Sequence, residues 1–266
     1  MEEEGTLRQL WRGFTIQREV VAALLQFQFV ARWGRKNLGF AWLFCESLVF
    51  AFPVLAVWHF VRDPYEHGLP MTAFVWSGYM PLLIFRHVTG QALHTITGAV
   101  PLLYHRRITP FDLYLGHQGL EAIGNLSAVA FSFIVFYILG LIDLPYNYDL
   151  LLLGYVYMTW WSMSVGLIVS ALASRSEVVH HIWLPISYLY VFFCGFMFMA
   201  AWLPFKVPEI ALMIDPPLQC YEMIRAGLFG NQVQTFYDLP YITFILLTLT
   251  FIGLWLVQNV RKHLEL

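Results

Sequence analysis

Six apolar stretches dominate this chain, at about 38–61, 71–98, 113–142, 150–173, 178–199 and 239–260. A helix needs about 20 apolar residues to cross a bilayer core of about 30 Å, so each stretch is a candidate membrane span. Once in lipid, backbone amides must find partners within the segment, which leaves helices as the solution for separate apolar runs. Only 12% of residues are charged and 59% are hydrophobic, against about 25% charged in a soluble domain. The expected fold class is therefore an all-α membrane protein with six transmembrane helices. Residues 1–36 form a cytoplasmic interface segment in this reading, and 37–266 form one membrane domain without a soluble appendage.

The basic residues orient the bundle. Eleven Lys and Arg fall on one side: Arg8, Arg12, Arg18, Arg32, Arg35, Lys36, Arg106, Arg107, Arg175, Arg261 and Lys262. Three fall on the other, Arg62, Lys206 and Arg225. The positive-inside rule then places both termini in the cytoplasm. The acidic start "MEEEGTLRQLWRGF" lacks the basic region and short apolar core of a cleavable signal peptide. With a net charge of −2, no broad basic face exists for nucleic acid.

Two segments fit neither span nor loop. From Leu7 to Trp33, apolar residues such as Leu7, Leu10, Trp11 and Phe14 recur at helical spacing among arginines. That pattern predicts an amphipathic helix in the cytoplasmic interface; a helix packed on a soluble partner also fits. The second, 200–231, is too apolar for a free loop and too rich in proline to span. It predicts two short periplasmic re-entrant helices before the last span, with an interfacial outer loop as the alternative.

Motifs for enzymatic chemistry are missing. The sequence holds no G-x-x-x-x-G-K-[ST] loop, no H-E-x-x-H and no G-x-S-x-G. Cys45, Cys194 and Cys220 are too scattered for a metal site, and adjacent His180 and His181 are a poor metal pair on a helix. No catalytic residue, metal ligand or bound cofactor is expected in this chain.

Ionisable groups inside spans cost several kcal/mol unless paired or hydrated, so each needs an account. At about 1.5 Å per residue, Glu46 and Glu121 lie roughly 13 Å, and Arg86 roughly 18 Å, from the cytoplasmic edge. Arg86 is expected to pair with Glu46 or Glu121, or to snorkel to water. His87, Gln91, His94 and Gly98 share one helical face, which suits either a hydrated channel wall or interhelical hydrogen bonds. The ten Trp, fourteen Tyr and twenty-three Phe, Trp42 among them, offer flat apolar faces with polar tips, which suit a carbohydrate path.

The connector "VPLLYHRRITPFDLYLG" breaks at Pro110, and Asp112 is placed to cap the helix after it. At the membrane surface this short charged piece, about 100–112, serves either as a topological anchor or as a lever for a soluble partner.

"RWGRKNLGFAWLFCES", "SGYMPLLIF", "RRITPFD" with "GLE", and "DPPLQCYEMIRAGLFG" follow one another in the order found in the ABC type 2 permease family. The chain resembles that family from about Ile16 to its end, and most resembles the inner-membrane permease of capsular polysaccharide exporters. The resemblance rests on Arg32-x-Gly34, Leu38-Gly39-x-x-Trp42 with Glu46, Gly78-x-x-Pro81, Arg106-x-Ile108-x-Pro110-x-Asp112, and Glu222 with Arg225. It implies a homodimer in the bacterial inner membrane, with two separate ABC ATPase subunits that carry Mg-ATP. It implies a coupling helix at Arg106, Arg107, Pro110 and Asp112, and an interface helix reaching Arg32, Trp33 and Gly34. A periplasmic cap would include Asp215, Glu222 and Arg225. Trp42, Glu46, Arg86, His87, Gln91 and His94 are the channel candidates.

The implied cargo is an anionic, lipid-linked polysaccharide, handed to periplasmic and outer-membrane export proteins. Export of a small lipid or drug is the alternative within the family. An intramembrane glycosyl or acyl transferase around His87, His94 and Glu121 is the alternative outside it. Four positions depart from the family pattern: Ser47 replaces a usual proline, Phe27 and Gln28 stand where an Arg-acidic pair is frequent, and Asp215 stands where Asn is common.

Overall fold

The computed structural model describes residues 2–33, 49, 52–54, 57, 65–66, 68–103, 108–204 and 207–260. Most of the expected first span, with Trp42 and Glu46, lies outside these residues.

Helix α1, Glu2–Trp33, is one 32-residue rod, about 48 Å long at about 1.5 Å per residue. After a two-rung hairpin, β1 Tyr65–Glu66 with β2 Leu69–Pro70, come the long helices α2, Met71–Thr95, α4, Pro110–Ile138, and α5, Tyr148–Ala173. The four-residue α3, Val100–Leu103, lies between α2 and α4. Then follow α6, Glu177–Leu189, α7, Val207–Ile214, α8, Pro216–Phe229, and α9, Leu239–Gln258.

Three of these helices are long and apolar enough to cross a membrane: α4, α5 and α9. Helix α2 has the length, at 25 residues, but carries Arg86, His87, Gln91 and His94. The expected fifth span at 178–199 is shorter as a helix than its apolarity suggested. Helix α6 stops at Leu189 after 13 residues, about 20 Å against a core of about 30 Å. A 3₁₀ turn, Tyr190–Phe192, follows, and the chain turns at Gly195 with φ +75°.

Packing places α2 and α5 side by side at the centre. Eighteen residues of α2 are buried, as expected for a helix surrounded by others rather than by lipid. Helix α4 packs on α2, α9 on α5, and α1 on α4. Small residues allow the closest crossings, as in membrane bundles generally. A Cβ on Gly116 would sit 2.7 Å from the Leu24 Cβ of α1, and one on Gly227 2.4 Å from the Leu151 backbone nitrogen. Hydroxyls and an indole join α5 to α9: Tyr157 with Thr243 at 2.8 Å, and Trp160 Nε1 donating to Thr250 at 3.0 Å.

The stretch 200–231 contains two short helices, of 8 and 14 residues, neither long enough for about 30 Å of hydrocarbon. All of α8 is buried. It begins on Pro216 and Pro217, where a missing N–H does no harm, and ends at Gly230 with φ +56°. Tyr146 and Asn147 donate their backbone N–H to the carbonyls of Leu228 and Gly227. This joins α8 to the α4–α5 connector, at the end of the bundle away from α1.

Candidate functional site

Ionisable and polar side chains collect at three levels along the bundle. The first is where α1 meets the start of α4. Residues 100–112 are not one helix: Val100–Leu103 is helical, and Pro110 and Asp112 already belong to α4. The physical reason is a capping box. Thr109 has extended backbone and its hydroxyl accepts from the Asp112 N–H at 3.1 Å, while the Asp112 carboxylate accepts from the Thr109 N–H at 3.0 Å. That reciprocal pair satisfies two orphan donors of a helix start, and Pro110 at the first position suits it further. Sequence reasoning named Asp112 as the cap and missed Thr109, although the T-x-x-D spacing carried the signal.

Asp112 is buried, and its other carboxylate oxygen accepts from Gln17 Nε2 of α1 at 3.1 Å. One side chain thus caps α4 and holds α1 to it. Beside it, a cavity of about 340 Å³ lies between Thr109, Pro110, Phe111 and the end of α9 at Leu254, Val257 and Gln258. Arg175 Nη2 donates to the Leu256 carbonyl at 2.7 Å, fixing the α5–α6 connector to the same end. Arg32 and Trp33 form the last turn of α1. Arg106, Arg107 and Gly34 lie outside the described residues.

The second level is the polar face of α2. His87 Nδ1 is 2.9 Å from Asn125 Oδ1, and Asn125 Nδ2 donates to the Glu121 carbonyl. The amide orientation is therefore set, and His87 Nδ1 carries the proton in this contact. Gln91 accepts through its backbone carbonyl from Thr95, whose hydroxyl is also 3.0 Å from Gln118. The His94 ring lies 5.1 Å from His180 of α6. The guanidinium of Arg86 lies over the Tyr188 ring of α6, 4.1 Å from its centroid. Among the described residues Arg86 forms no ion pair, with Glu121 or any other carboxylate, and Glu46 lies outside them. Glu121 is buried on α4, on the face that also carries Gln118 and Asn125. Sequence reasoning missed Asn125 and Tyr188, and weighed His180 only as half of a metal pair, not as the neighbour of His94. Asn125 shared a helical face with Glu121 and was findable; the α6 residues had no local signal.

The third level is α8. Glu222 and Arg225, both fully buried, act on backbone. The Glu222 carboxylate accepts from the N–H of Ala200 at 3.0 Å and of Phe236 at 3.2 Å. Arg225 donates to the carbonyls of Phe198 at 2.6 Å and Phe196 at 3.1 Å, and lies 4.3 Å from the Phe74 ring. Burial raises Glu222 above the usual carboxylate range and lowers Arg225 to about 10. At Asp215, burial pushes the carboxyl up to about 6, partly offset by the Tyr190 hydroxyl that donates to it at 2.7 Å. Gln219 bridges neighbours, donating to the Leu212 carbonyl and accepting from the Asp238 N–H. Among the described residues no group of three metal-binding side chains comes together.

No family model matches the chain. Full-length relatives do. It is 33% identical to the capsule polysaccharide export inner-membrane protein CtrC of Neisseria meningitidis serogroup B, over 96% of each chain. It is 32% identical to the capsule polysaccharide export inner-membrane protein BexB of Haemophilus influenzae, over 99% of this chain and 98% of the relative. The polysialic acid transport protein KpsM of Escherichia coli is 22% identical over 93% of this chain and 95% of its own.

Proposed function

This chain belongs to the family of capsule polysaccharide export inner-membrane proteins, and from that premise we propose that it is the membrane-spanning permease of an ATP-driven exporter of lipid-linked capsular polysaccharide. The observation that carries the reading is identity above 30% along nearly the whole of both chains. The names of those relatives state what they export and where; the same cargo class and membrane are assigned here by that likeness.

In this reading six spans cross the membrane with both termini cytoplasmic. Two copies form the permease, and two ABC ATPase subunits bind Mg-ATP beneath them. The α1 end faces the cytoplasm. Arg106, Arg107, Pro110 and Asp112 transmit the ATPase movement, and α1, ending at Arg32, Trp33 and Gly34, is a second contact. The bond from Gln17 to Asp112 supports joint movement of these two elements. The α8 end faces the periplasm, where Asp215, Glu222 and Arg225 cap the path toward periplasmic and outer-membrane export proteins. Trp42, Glu46, Arg86, His87, Gln91 and His94 belong to the polymer path. ATP-driven transport requires that the partner's nucleotide cycle favour different membrane conformations, a coupling between separate sites.

His87 and His94 engage different partners, Asn125 and His180, which removes support for a transferase built on both. The test is deletion of the gene followed by complementation, with co-purification of a candidate ABC ATPase. Loss and restoration of surface polymer, and ATP hydrolysis stimulated by that polymer, are expected. A deletion strain with normal capsule overturns the reading.

A further inference from the structure

Among the described residues two arginines reach the interior of this bundle, and they use their donors differently. Arg225 is wholly buried and gives its N–H groups to the carbonyls of Phe196 and Phe198. It holds the fold together. Arg86 is mostly buried with a minor part exposed, and its ring contact among the described residues is the face of Tyr188, 4.1 Å away. None of its five N–H donors goes to an acceptor among those residues.

Arg86 stands 15 residues after Met71 and nine before Thr95 in α2, about 22 Å and 14 Å from the two helix ends at about 1.5 Å per residue. A cation at that depth is costly and marks a path or a partner. An arginine serving only the fold would use its donors as Arg225 does.

The space beside it is bounded. A cavity of about 130 Å³ is lined by Tyr79, Leu83, Arg86, His87, Leu184 and Ser187. That is roughly four water volumes of about 30 Å³, well below the 300 Å³ or so of a small-molecule pocket. It admits one carboxylate or phosphate group and excludes a whole sugar ring. The Tyr188 ring holds the guanidinium plane, which leaves the donor edges for a planar or tetrahedral oxyanion. His87 is committed at Nδ1 to Asn125, and its Nε2 has no partner among the described residues.

We propose that Arg86, seated on Tyr188 and flanked by His87 and Ser187, is an anion subsite that takes one carboxylate or phosphate of the acidic glycan during its passage. This rests on the export reading above and adds to it the side chains that read the charge of the cargo. The shared chemistry is an oxyanion, and an anionic lipid headgroup could supply it too. The depth favours the glycan, because phospholipid headgroups reside at the surfaces of the bilayer, outside its hydrocarbon core.

The full chain, purified in detergent, is titrated with a labelled acidic oligosaccharide, its carboxyl-reduced counterpart, and phosphatidylglycerol. Wild type should bind the acidic sugar about tenfold tighter than the reduced one, as one charge-assisted contact supplies. R86Q should erase that preference, R86K should keep part of it, and Y188L should weaken it. Removal of an intramembrane charge that has no acceptor among the described residues should leave the melting temperature of R86Q equal or higher, opposite to the result for a structural arginine. Should R86Q fail to fold, R86K and Y188L decide the matter. Equal preference in wild type and all variants overturns the proposal, as does wild type that does not discriminate. Phosphatidylglycerol binding that disappears in R86Q while sugar binding persists assigns the subsite to lipid and overturns the glycan occupant. Complementation of the deletion strain is scored separately. Restored capsule without the binding preference sinks the subsite alone, whereas absence of any capsule phenotype sinks the export reading.

Discussion

Arg225 and Phe74 meet face to cation, 4.3 Å from guanidinium to ring centroid, and that contact carries α8 onto α2. The same guanidinium binds the carbonyls of Phe196 and Phe198, so one side chain joins α8, α2 and the irregular segment after α6. Glu222, one turn earlier, binds the N–H groups of Ala200 and Phe236. The two charges lie one turn apart on the same face of α8 and both act on backbone of the segment 196–200, where the chain forms neither long helix nor sheet. Irregular backbone at membrane depth survives only when its polar groups are satisfied by protein or water.

Arg225→Ala leaves two buried carbonyls without donors. Each unsatisfied buried group costs about 1–3 kcal/mol, so a loss of about 3 kcal/mol or more is expected in thermal or denaturant unfolding in detergent. Arg225→Lys keeps the charge without the fork and should recover only part. An alanine variant as stable as wild type would show that the contacts carry no weight.

Gly227→Ala places a Cβ 2.4 Å from the Leu151 nitrogen. Backbone cannot swing aside as a side chain can, so α8 must move off α5, at a cost of about 1–3 kcal/mol. Gly90→Ala in α2 meets nothing within 4 Å. It should be neutral or stabilising by up to about 1 kcal/mol, through helix propensity alone. Equal melting temperatures for the two variants would contradict this packing.

Thr109→Ala should cost about 1 kcal/mol, the usual worth of an N-cap. Asp112→Ala should cost more, since it also releases Gln17 from α4. In the Gln17→Ala and Asp112→Ala double-mutant cycle, a coupling of at least about 0.5 kcal/mol is expected for residues sharing a bond. Strict additivity would remove the joint between α1 and α4.

Asp215 titrates at about 6 in the folded chain, raised by burial from 3.8. A raised carboxyl favours the folded state while protonated, so its contribution is complete below about 4 and disappears as pH rises through about 6. Asp215→Asn keeps the oxygen that accepts from Tyr190 and cannot ionise. The variant should therefore be more stable than wild type above pH 6, with a flatter stability profile between pH 4 and 6. Parallel profiles for the two proteins would refute the assignment.

Some of this architecture was legible in residue order. The runs that became α4, α5 and α9 are apolar over a bilayer's thickness, and Pro204, Pro208, Pro216 and Pro217 announced a broken segment before α9. The capping box at Thr109 and Asp112 was readable as spacing. Other features were not. The shared face of His87, Gln91 and His94 could mean a wet wall or hydrogen bonds to a neighbour, and the structure gives His87 an amide and His94 a second imidazole. Apolarity extended the fifth stretch to 199, whereas the helix ends at Leu189 because the chain turns to meet Arg225. Gln17 and Asp112 are 95 residues apart, a separation that no local pattern encodes.

The sequence by itself determined that this chain belongs in a bilayer and where its longest helices run. Both follow from local rules: apolar length against membrane thickness, and backbone groups that must bond within their own segment. Only the tertiary structure decided which groups each internal arginine meets among the described residues. That depends on what neighbouring helices bring within about 3 Å of a donor. Arg225 and Arg86 are the same residue type in comparably apolar surroundings; the carbonyls of Phe196 and Phe198 meet one, and an aromatic face beside a small cavity meets the other.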